Sequence, residues 1–170
     1  TGLISNRAAI RVFELLEKFA YRSATQISVI AGRFRQNLLG KGVPDQKMQI
    51  ISNWVDVNFI RPMDKDDNAF RRANGLENKF VVMYSGNIAR TQGIRTIIKA
   101  AARLQALDQL VFVIVGEESR LAELAKYQHQ LGVHNVLLRP FAPRPELPEM
   151  LAAADVGLIV QKRNVGGFHM

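Results

Sequence analysis

The stretch FVVMYSGNIARTQGIR, residues 80–95, decides the fold class of this 170-residue chain. An unbroken apolar run ends in Ser-Gly-Asn, a short polar loop follows, and a helix-periodic segment begins after the second glycine. This order predicts a strand, a turn and a helix start, the arrangement with which α/β proteins receive a phosphate group. Backbone N–H groups and the helix dipole favour an anion at such a turn.

The pattern around this stretch is a regular alternation of apolar runs and amphipathic segments. Continuous apolar runs, rather than alternating ones, are typical of strands buried on both faces of a parallel sheet. We therefore predict a Rossmann-like, doubly wound parallel sheet of the α/β class. The expected strands are 80–85, 110–115, 135–139 and 156–160, with helices at 93–107, 119–131 and 147–154. A complete sheet of this type has about five or six strands, so the sequence predicts an incomplete domain.

The first third of the chain has a different organisation. Apolar residues at helical spacing predict a helix over 6–21, and β-branched runs at 25–30 and 48–52 flank a short helix at 33–39. Residues 25–52 are therefore expected to form a βαβ unit. The polar, turn-rich segment 61–79 marks a boundary, and we predict a first domain over 1–55, a linker over 56–79 and a second, truncated domain over 80–170.

Charge and composition narrow the class of partner. The net charge is +8, and residues 1–50 hold eight Lys or Arg residues against three acidic ones. This indicates an anionic partner such as phospholipid head groups, nucleic acid or a phosphorylated ligand, or else a basic, solvated surface. The chain has no cysteine, which excludes disulfides and thiolate metal sites.

Within the glycine loop, Gly86 allows a tight turn and the close approach of a ligand. Gly93 lies at the expected helix start, where its N–H is an unsatisfied donor, and Arg90 carries a permanent charge suited to a diphosphate. The spacing is neither Gly-x-Gly-x-x-Gly nor a P-loop. A glycine turn that serves only the structure remains the alternative.

Two further strand ends fall at the same expected edge of the sheet. Glu117, after Val115-Gly116, is placed to accept from a ribose hydroxyl, or it is a helix N-terminal acid. At Arg139-Pro140-Phe141, a backbone group is placed to read a base against Phe141, or the ring anchors the turn. Asp64–Asp67 is expected to be a solvated acidic segment, and the three histidines lack metal-ligand spacing.

Taken in order, these segments resemble the retaining nucleotide-sugar glycosyltransferases of the GT-B fold, the large family that includes sucrose synthase and bacterial mannosyltransferases. The match covers roughly residues 20–170. Residues 20–59, ending in Asn-Trp-Val-Asp-Val-Asn-Phe, look like the crossover from the N-terminal to the C-terminal domain. Four landmarks of the donor domain follow: Ser85-Gly86-Asn87 with Gly93, Val115-Gly116, residues 136–141, and residues 151–156 with Asp155. The Ser-Gly-Asn-Ile variant is most similar to transferases of capsule, O-antigen and exopolysaccharide assembly.

The resemblance implies transfer of a sugar from a nucleoside diphosphate sugar, with retention, to a growing cell-surface polysaccharide or lipid-linked acceptor. It implies no metal or other cofactor, no nucleic-acid partner and a cytoplasmic location. The basic amphipathic segment 6–21 fits a peripheral contact with the inner face of an anionic membrane, or else it packs as a helix of its domain through the same apolar stripe. The implied donor-binding residues include the loop residues Ser85, Asn87 and Gln92. The full set adds Gly86, Arg90, Gly93, Glu117, Arg139 and Phe141.

Two departures from the family accompany the resemblance. Its glycine loop usually carries Arg and Lys on the donor diphosphate where this chain has Asn87 and Gln92. The family's paired glutamates and its catalytic-side histidine have no counterpart in the chain, so no catalytic residue is assigned. We expect these 170 residues to be inactive alone. Homodimerisation of the chain is a further expectation, because it would cover the exposed strand edges of an incomplete sheet.

Three other functions compete. A nucleotide-sugar epimerase on the same fold needs acids and histidines in regions outside these 170 residues, so only the full gene separates it from a transferase. A basic, non-enzymatic module for nucleic acid or another anion usually shows interleaved aromatic residues, whereas the aromatic residues here mostly occupy expected core positions. A receiver-like signalling domain needs an acidic cluster at the strand ends, but strand 80–85 ends in Ser-Gly-Asn.

Overall fold

The computed structural model describes residues 6–89 and 91–162. The described chain divides into two compact units, with the boundary between Val55 and Asp56. This division agrees in position with the end of the predicted first domain, although the domain limits of the parent protein stay predictions. Across the described ranges, no helix combines the length and the apolar character needed to cross a bilayer.

The first unit contains the predicted βαβ arrangement. Helix α1 (Arg7–Ser23) begins at Asn6, whose side chain accepts hydrogen bonds from the Ala8 and Ala9 N–H groups. Strand β1 (Ile27–Val29), helix α2 (Gly32–Gly40) and strand β2 (Met48–Ile50) follow, and the two strands pair in parallel. Both strands are shorter than predicted. Their core is small, with Val29, Leu38 and Val43 buried and Tyr21 packed against them.

The second unit is the predicted parallel sheet. Its strands are β3 (Phe80–Ser85), β4 (Leu110–Gly116), β5 (Val136–Pro140) and β6 (Val156–Gly157), in the spatial order β5-β4-β3-β6. Its helices are α3 (Ala69–Asn74), α4 (Ile94–Arg103), α5 (Glu118–Gln130) and α6 (Leu147–Ala152). Every pairing in this sheet is parallel. The Rossmann-like α/β architecture is therefore confirmed.

Three elements of the second unit are shorter than the sequence predicts, among them the helix expected over 147–154, which ends at Ala152. The helix expected over 93–107 ends at Arg103, and the strand expected over 156–160 has only two residues, although the Leu158 N–H still donates to the Met83 carbonyl. Strand β6 pairs with β3 alone among the described strands. Val156 in β6 is 40% exposed, and Ile159, two residues after the strand ends, is 82% exposed.

The continuous apolar runs follow from burial on both faces of the sheet. Along β4, Phe112 and Ile114 belong to one core cluster, while Val113 and Val115 belong to the cluster on the opposite face. Helices α4 and α5 cover the first cluster, and α3 and α6 lie beside the second. Successive residues of a strand point to opposite faces, so each residue of such a strand is apolar.

The segment 56–79, predicted as a linker, contains helix α3 and two buried polar residues, Asn68 and Arg71. Arg71 donates to Asp155 at the start of β6 and to the carbonyls of Ala153, Leu76 and Lys79. The turn-rich, charged composition of this segment did not indicate such packing. The partner of Arg71 is 84 residues further along the chain, so no local pattern reveals the pair.

Candidate functional site

A cleft of about 370 Å³ lies beside the glycine loop, at the carboxyl end of the sheet. The strand order reverses between β3 and β6, since the chain moves from β3 outward to β5 and then returns to the other side of β3. Ligands of open α/β sheets bind at such a switch point. The lining residues are Ile88, Ala89, Gln92, Gly93, Ile94, Arg95, Thr96, Arg120, Glu123, Leu124 and Lys162.

Glycines at the ends of two strands allow the glycine loop to pack closely against the sheet. The Gly86 N–H donates to the Val115 carbonyl at 3.2 Å, and a Cβ at Gly86 would lie 3.2 Å from the Tyr84 hydroxyl oxygen. That hydroxyl donates to the Asn87 carbonyl at 2.8 Å, and burial raises the pKa of Tyr84. At Gly116, a Cβ would collide with the Ile88 side chain. Ile88 therefore covers the end of β4 only because residue 116 has no side chain.

Gly93 caps the start of α4, and the segment after β6 packs against the glycine loop at this residue. A Cβ at Gly93 would lie 3.2 Å from Val160 Cγ1, and the Lys162 N–H donates to the Thr91 carbonyl at 3.0 Å. In the described part of the chain, the N–H groups of Gly93, Ile94 and Arg95 donate no hydrogen bond. These groups are directed out of the helix start, with the positive end of its dipole, and are suited to an anionic oxygen.

The positive charge at the cleft comes from residues that the sequence interpretation did not select. Arg120, in the first turn of α5, and Lys162, after β6, both line the cleft. Within residues 6–89 and 91–162, neither side chain has a hydrogen-bond or ion-pair partner. Arg95 also lines the cleft, but it pairs with Glu123 at 2.6 Å and lies over the Tyr127 ring at 4.8 Å.

Only some of the predicted loop residues line the cleft. Gln92 and Gly93 line the cleft, while Ser85 and Gly86 lie at the end of β3 immediately before it. The Gln92 side-chain oxygen accepts from the Thr91 hydroxyl at 2.9 Å. Arg90 lies outside the described residues. Among the described residues, Arg120 and Lys162 supply positive charge to the cleft from other elements.

Three predicted site residues lie apart from this cleft. Glu117 precedes α5, and its carboxylate accepts from the Ser119 hydroxyl at 2.7 Å. Arg139 donates to the Asn74 side-chain oxygen on α3, so its guanidinium is on the sheet face opposite α4. Phe141 is 51% exposed and lines, with Arg139, a second cavity of about 360 Å³ beside α3. The structure does not bring these side chains to the glycine loop.

The described ranges contain no group of three or more His, Cys, Asp or Glu residues placed to hold a metal ion. Within the acidic segment, Lys65 pairs with Asp155 and Asp67 pairs with Arg72. These contacts give the segment a structural role in the second unit.

Comparisons with known proteins give the family to which the chain is similar. The family model "Glycosyl transferases group 1" matches residues 66–168. WcaI of Escherichia coli K12, which is named as a colanic acid biosynthesis glycosyl transferase, is 33% identical over 149 residues, covering 86% of this chain and 36% of WcaI. WbjE of Pseudomonas aeruginosa, named as a glycosyltransferase, is 30% identical over 162 residues, covering 94% of this chain and 40% of WbjE.

Solved structures show the same fold at low identity. HepE of Anabaena, crystallised in complex with UDP-glucose, superimposes with a TM-score of 0.69 at 24% identity, covering 86% of this chain and 40% of HepE. WaaG, a glycosyltransferase involved in lipopolysaccharide biosynthesis, gives a TM-score of 0.61 at 16% identity, covering 80% of this chain and 40% of WaaG. The chain thus spans about two-fifths of the length of these relatives.

Proposed function

The chain belongs to the group 1 glycosyltransferases, as its family match shows, and from that premise we propose that the protein containing it transfers a sugar from a nucleoside diphosphate sugar. The observation that supports this proposal most directly is the cleft beside the glycine loop. Backbone N–H groups at the start of α4 line this cleft, together with the side chains of Arg120 and Lys162, which have no partner among the described residues. The acceptor is a growing cell-surface polysaccharide or a lipid-linked saccharide. The names of WcaI and WaaG support this acceptor class.

The cleft contributes stabilisation of the leaving diphosphate. As the bond between the sugar and the diphosphate breaks, negative charge grows on the diphosphate oxygen. The N–H groups of Gly93, Ile94 and Arg95 hold one phosphate, and Arg120 and Lys162 neutralise the charge. Donors fixed before the reaction stabilise such charge without reorganisation. This chemistry needs no metal ion, and the sugar is transferred with retention at its anomeric carbon.

The remaining donor contacts extend along the carboxyl ends of the strands. Glu117 accepts from the ribose hydroxyls after releasing Ser119, and the backbone after Arg139 reads the base beside Phe141. Asn87 offers its side-chain amide to the diphosphate, and Arg90 adds charge in the same loop. HepE was crystallised with UDP-glucose, which supports a uridine nucleotide as the first donor to test.

The cellular setting follows from the proposed acceptor. We place the protein in the cytoplasm, in peripheral contact with the inner face of an anionic membrane where lipid-linked acceptors reside. Homodimerisation remains a proposal for the 170-residue chain. Analytical ultracentrifugation across a range of concentrations tests it directly, because a monomer throughout that range contradicts it.

The test of donor binding is a thermal-shift titration of the 170-residue chain with UDP, GDP and UDP-glucose. A ligand that binds only the folded state raises stability by about 2.7 kcal/mol at one hundred times its Kd. We expect a nucleotide-dependent rise in Tm that is lost in the double variant Arg120→Gln/Lys162→Gln. The matched control Lys99→Gln/Arg103→Gln removes the same charge from an exposed face of α4 outside the cleft.

Two outcomes oppose the proposal. If no nucleotide or nucleotide sugar shifts the Tm, the cleft has no donor-binding role. If the double variant and its control lose binding equally, the effect is one of net charge alone. Sugar transfer by the 170-residue chain itself would contradict our expectation that it is inactive without the rest of the protein.

A further inference from the structure

Tyr84 places a hydroxyl group against the glycine loop, residues 85–93, from inside the core. Its side chain is 6% exposed and belongs to the cluster that α4 and α5 cover. A buried hydroxyl needs a hydrogen-bond partner, and this one donates to the Asn87 carbonyl at 2.8 Å. The core of the second unit therefore holds the loop by a polar contact as well as by packing.

Gly86 leaves room for this contact. A Cβ at residue 86 would lie 3.2 Å from the Tyr84 hydroxyl oxygen, which is closer than ordinary van der Waals contact. A side chain at residue 86 would therefore push the hydroxyl away from Asn87. The Gly86 N–H donates to the Val115 carbonyl at 3.2 Å, so residue 86 is itself fixed to the end of β4. Gly86 thus allows Tyr84 to reach the Asn87 carbonyl.

The contact sets the direction of the peptide bond between Asn87 and Ile88. The described chain contains no cis peptide bond, and the C=O and N–H of a trans peptide point in opposite directions. Since the Asn87 carbonyl faces the buried Tyr84 hydroxyl, the Ile88 N–H is directed away from the core. Ile88 lines the cleft, and within the described ranges its N–H donates no hydrogen bond. This N–H is therefore suited to an anionic oxygen of a ligand.

The cleft has donor groups on both sides of one turn. The Gln92 N–H donates to the Ala89 carbonyl at 3.1 Å and closes this turn. The Ile88 N–H lies before the turn, and the N–H groups of the α4 start, beginning with Gly93, lie after it. Residues on both sides line the same cleft. Two donor groups separated in this way are suited to two linked phosphates rather than to one.

We propose that Tyr84 is a positioning residue of the donor site, whose hydroxyl fixes the Asn87–Ile88 peptide so that the Ile88 N–H binds the second phosphate of a nucleoside diphosphate. The first phosphate lies on the α4 start. Tyr84 does not touch the ligand and acts through the loop. A donor that is oriented before the ligand arrives binds more tightly because less order is lost on binding. The inference rests on the proposed function, since it assigns a contact within the donor cleft.

The test is isothermal titration calorimetry of the 170-residue chain with UDP and UMP, repeated with Tyr84→Phe. Phenylalanine keeps the buried ring, and Asn87 is exposed, so its carbonyl is able to accept from water instead. We expect UDP to bind the variant about tenfold more weakly, or about 1.4 kcal/mol, which is the size of one hydrogen bond. UMP should weaken by no more than about twofold, because the donors of α4 remain.

The matched control is Tyr21→Phe, which also removes one hydrogen-bonded hydroxyl. In the first unit, the Tyr21 hydroxyl donates to the Glu17 carboxylate at 2.8 Å, and Tyr21 does not line the cleft. We expect this variant to bind both nucleotides as the unsubstituted chain does. Equal losses in the two variants would show that lower stability, and not the position of the loop, weakens binding, and would overturn the proposal.

A double-mutant cycle tests whether Gly86 acts through the same hydroxyl. Gly86→Ala should weaken UDP binding in the unsubstituted chain, because the added methyl group displaces the Tyr84 hydroxyl. The same substitution should have a much smaller effect in the Tyr84→Phe chain, which has no hydroxyl to displace. Additive losses would show that the two residues act separately and would contradict the proposed role of Tyr84.

The Ile88 contact has a readout that needs no substitution. A hydrogen bond to a phosphate oxygen should move the Ile88 amide proton downfield in the NMR spectrum as UDP is added, and UMP should move it much less. The control is the Val81 amide, which donates to the Asp155 carboxylate and should not move. An Ile88 resonance that UDP leaves unchanged would overturn the assigned contact, even if Tyr84→Phe failed to fold.

Failure of this inference is distinguishable from failure of the donor site. If Tyr84→Phe binds UDP and UMP as tightly as the unsubstituted chain, Tyr84 has no positioning role and the donor site stands. The same conclusion follows if the variant loses both affinities equally together with its Tm, since Tyr84 would then be a structural residue only. If the unsubstituted chain binds neither nucleotide, the donor site is refuted and the role of Tyr84 with it.

Discussion

Removing the Asp155 carboxylate is predicted to destabilise the second unit severely. The Asp155 side chain is 9% exposed and that of Arg71 is 3% exposed, and their charged groups meet at 2.7 Å. The same carboxylate accepts from the Val81 N–H at 2.8 Å and from the Lys65 ammonium at 2.7 Å. Asp155→Ala leaves the Arg71 guanidinium buried without its counterion. Breaking a buried pair in this way costs about 3–5 kcal/mol.

The same contacts make the stability of the second unit depend on pH through Asp155. Burial alone would raise the pKa of Asp155, but the hydrogen bonds from Lys65, Val81 and Arg71 outweigh it and lower the pKa to about 2. The unfolded value is about 3.9. Two pH units at about 1.4 kcal/mol each give roughly 2–3 kcal/mol. Because the folded pKa is the lower one, this stabilisation is present above about pH 4 and lost between about pH 4 and pH 2.

The assay is urea denaturation of the chain and its variants at neutral and acid pH, with hydrogen exchange of the Val81 amide as a local probe. Asp155→Asn should remove the pH-dependent part, so its difference from the unsubstituted chain should shrink as the pH falls to 2. The matched control is Asp67→Ala, because the Asp67 carboxylate is 92% exposed in its pair with Arg72. An exposed pair of this kind is worth about 0–1 kcal/mol. Equal effects of Asp155→Ala and Asp67→Ala would refute the reasoning.

Two packing predictions accompany this one. Gly116→Ala should destabilise the chain by about 1–3 kcal/mol because its Cβ collides with Ile88; urea denaturation should show partial rescue by Ile88→Ala, and an additive loss would contradict the collision. Ile98→Ala, at a fully buried position on α4, should cost about 2–5 kcal/mol. Ile159→Ala, at a position 82% exposed, is its control and should cost almost nothing in the same measurement.

The sheet could be predicted from sequence because its signals are local. The residues of β4 are apolar without interruption, and the structure assigns them alternately to the two cores. Gly86, Gly93 and Gly116 mark the ends of elements, and each lies where a side chain would meet a neighbour. The family resemblance, which depended on the order of such local features, is confirmed.

The contacts that complete the second unit were not predictable in the same way because they are not local. Arg71 and Asp155 form one network although 84 residues separate them, and the charged sequence around Arg71 has the composition of a linker. A signal was present at Asp155, which follows three alanines and precedes β6 without an obvious partner. Only the tertiary fold supplies that partner, because it brings Arg71 of α3 next to the residues that precede β6.

The same argument applies to the charge of the cleft. The sequence interpretation looked for cations inside the glycine loop. It found Arg90, but it found Asn87 and Gln92 at the two positions where the family usually has Arg and Lys. The fold brings Arg120 from α5 and Lys162 from the segment after β6 to the same cavity. Lys162 is held there by its backbone hydrogen bond to Thr91 and by the packing of Val160 on Gly93. The switch point is therefore both the place where N–H groups without a partner among the described residues lie and the place where separate elements bring positive charge together. The positive charge available at this cleft therefore depends on tertiary packing as well as on Arg90 in the sequence of the loop itself.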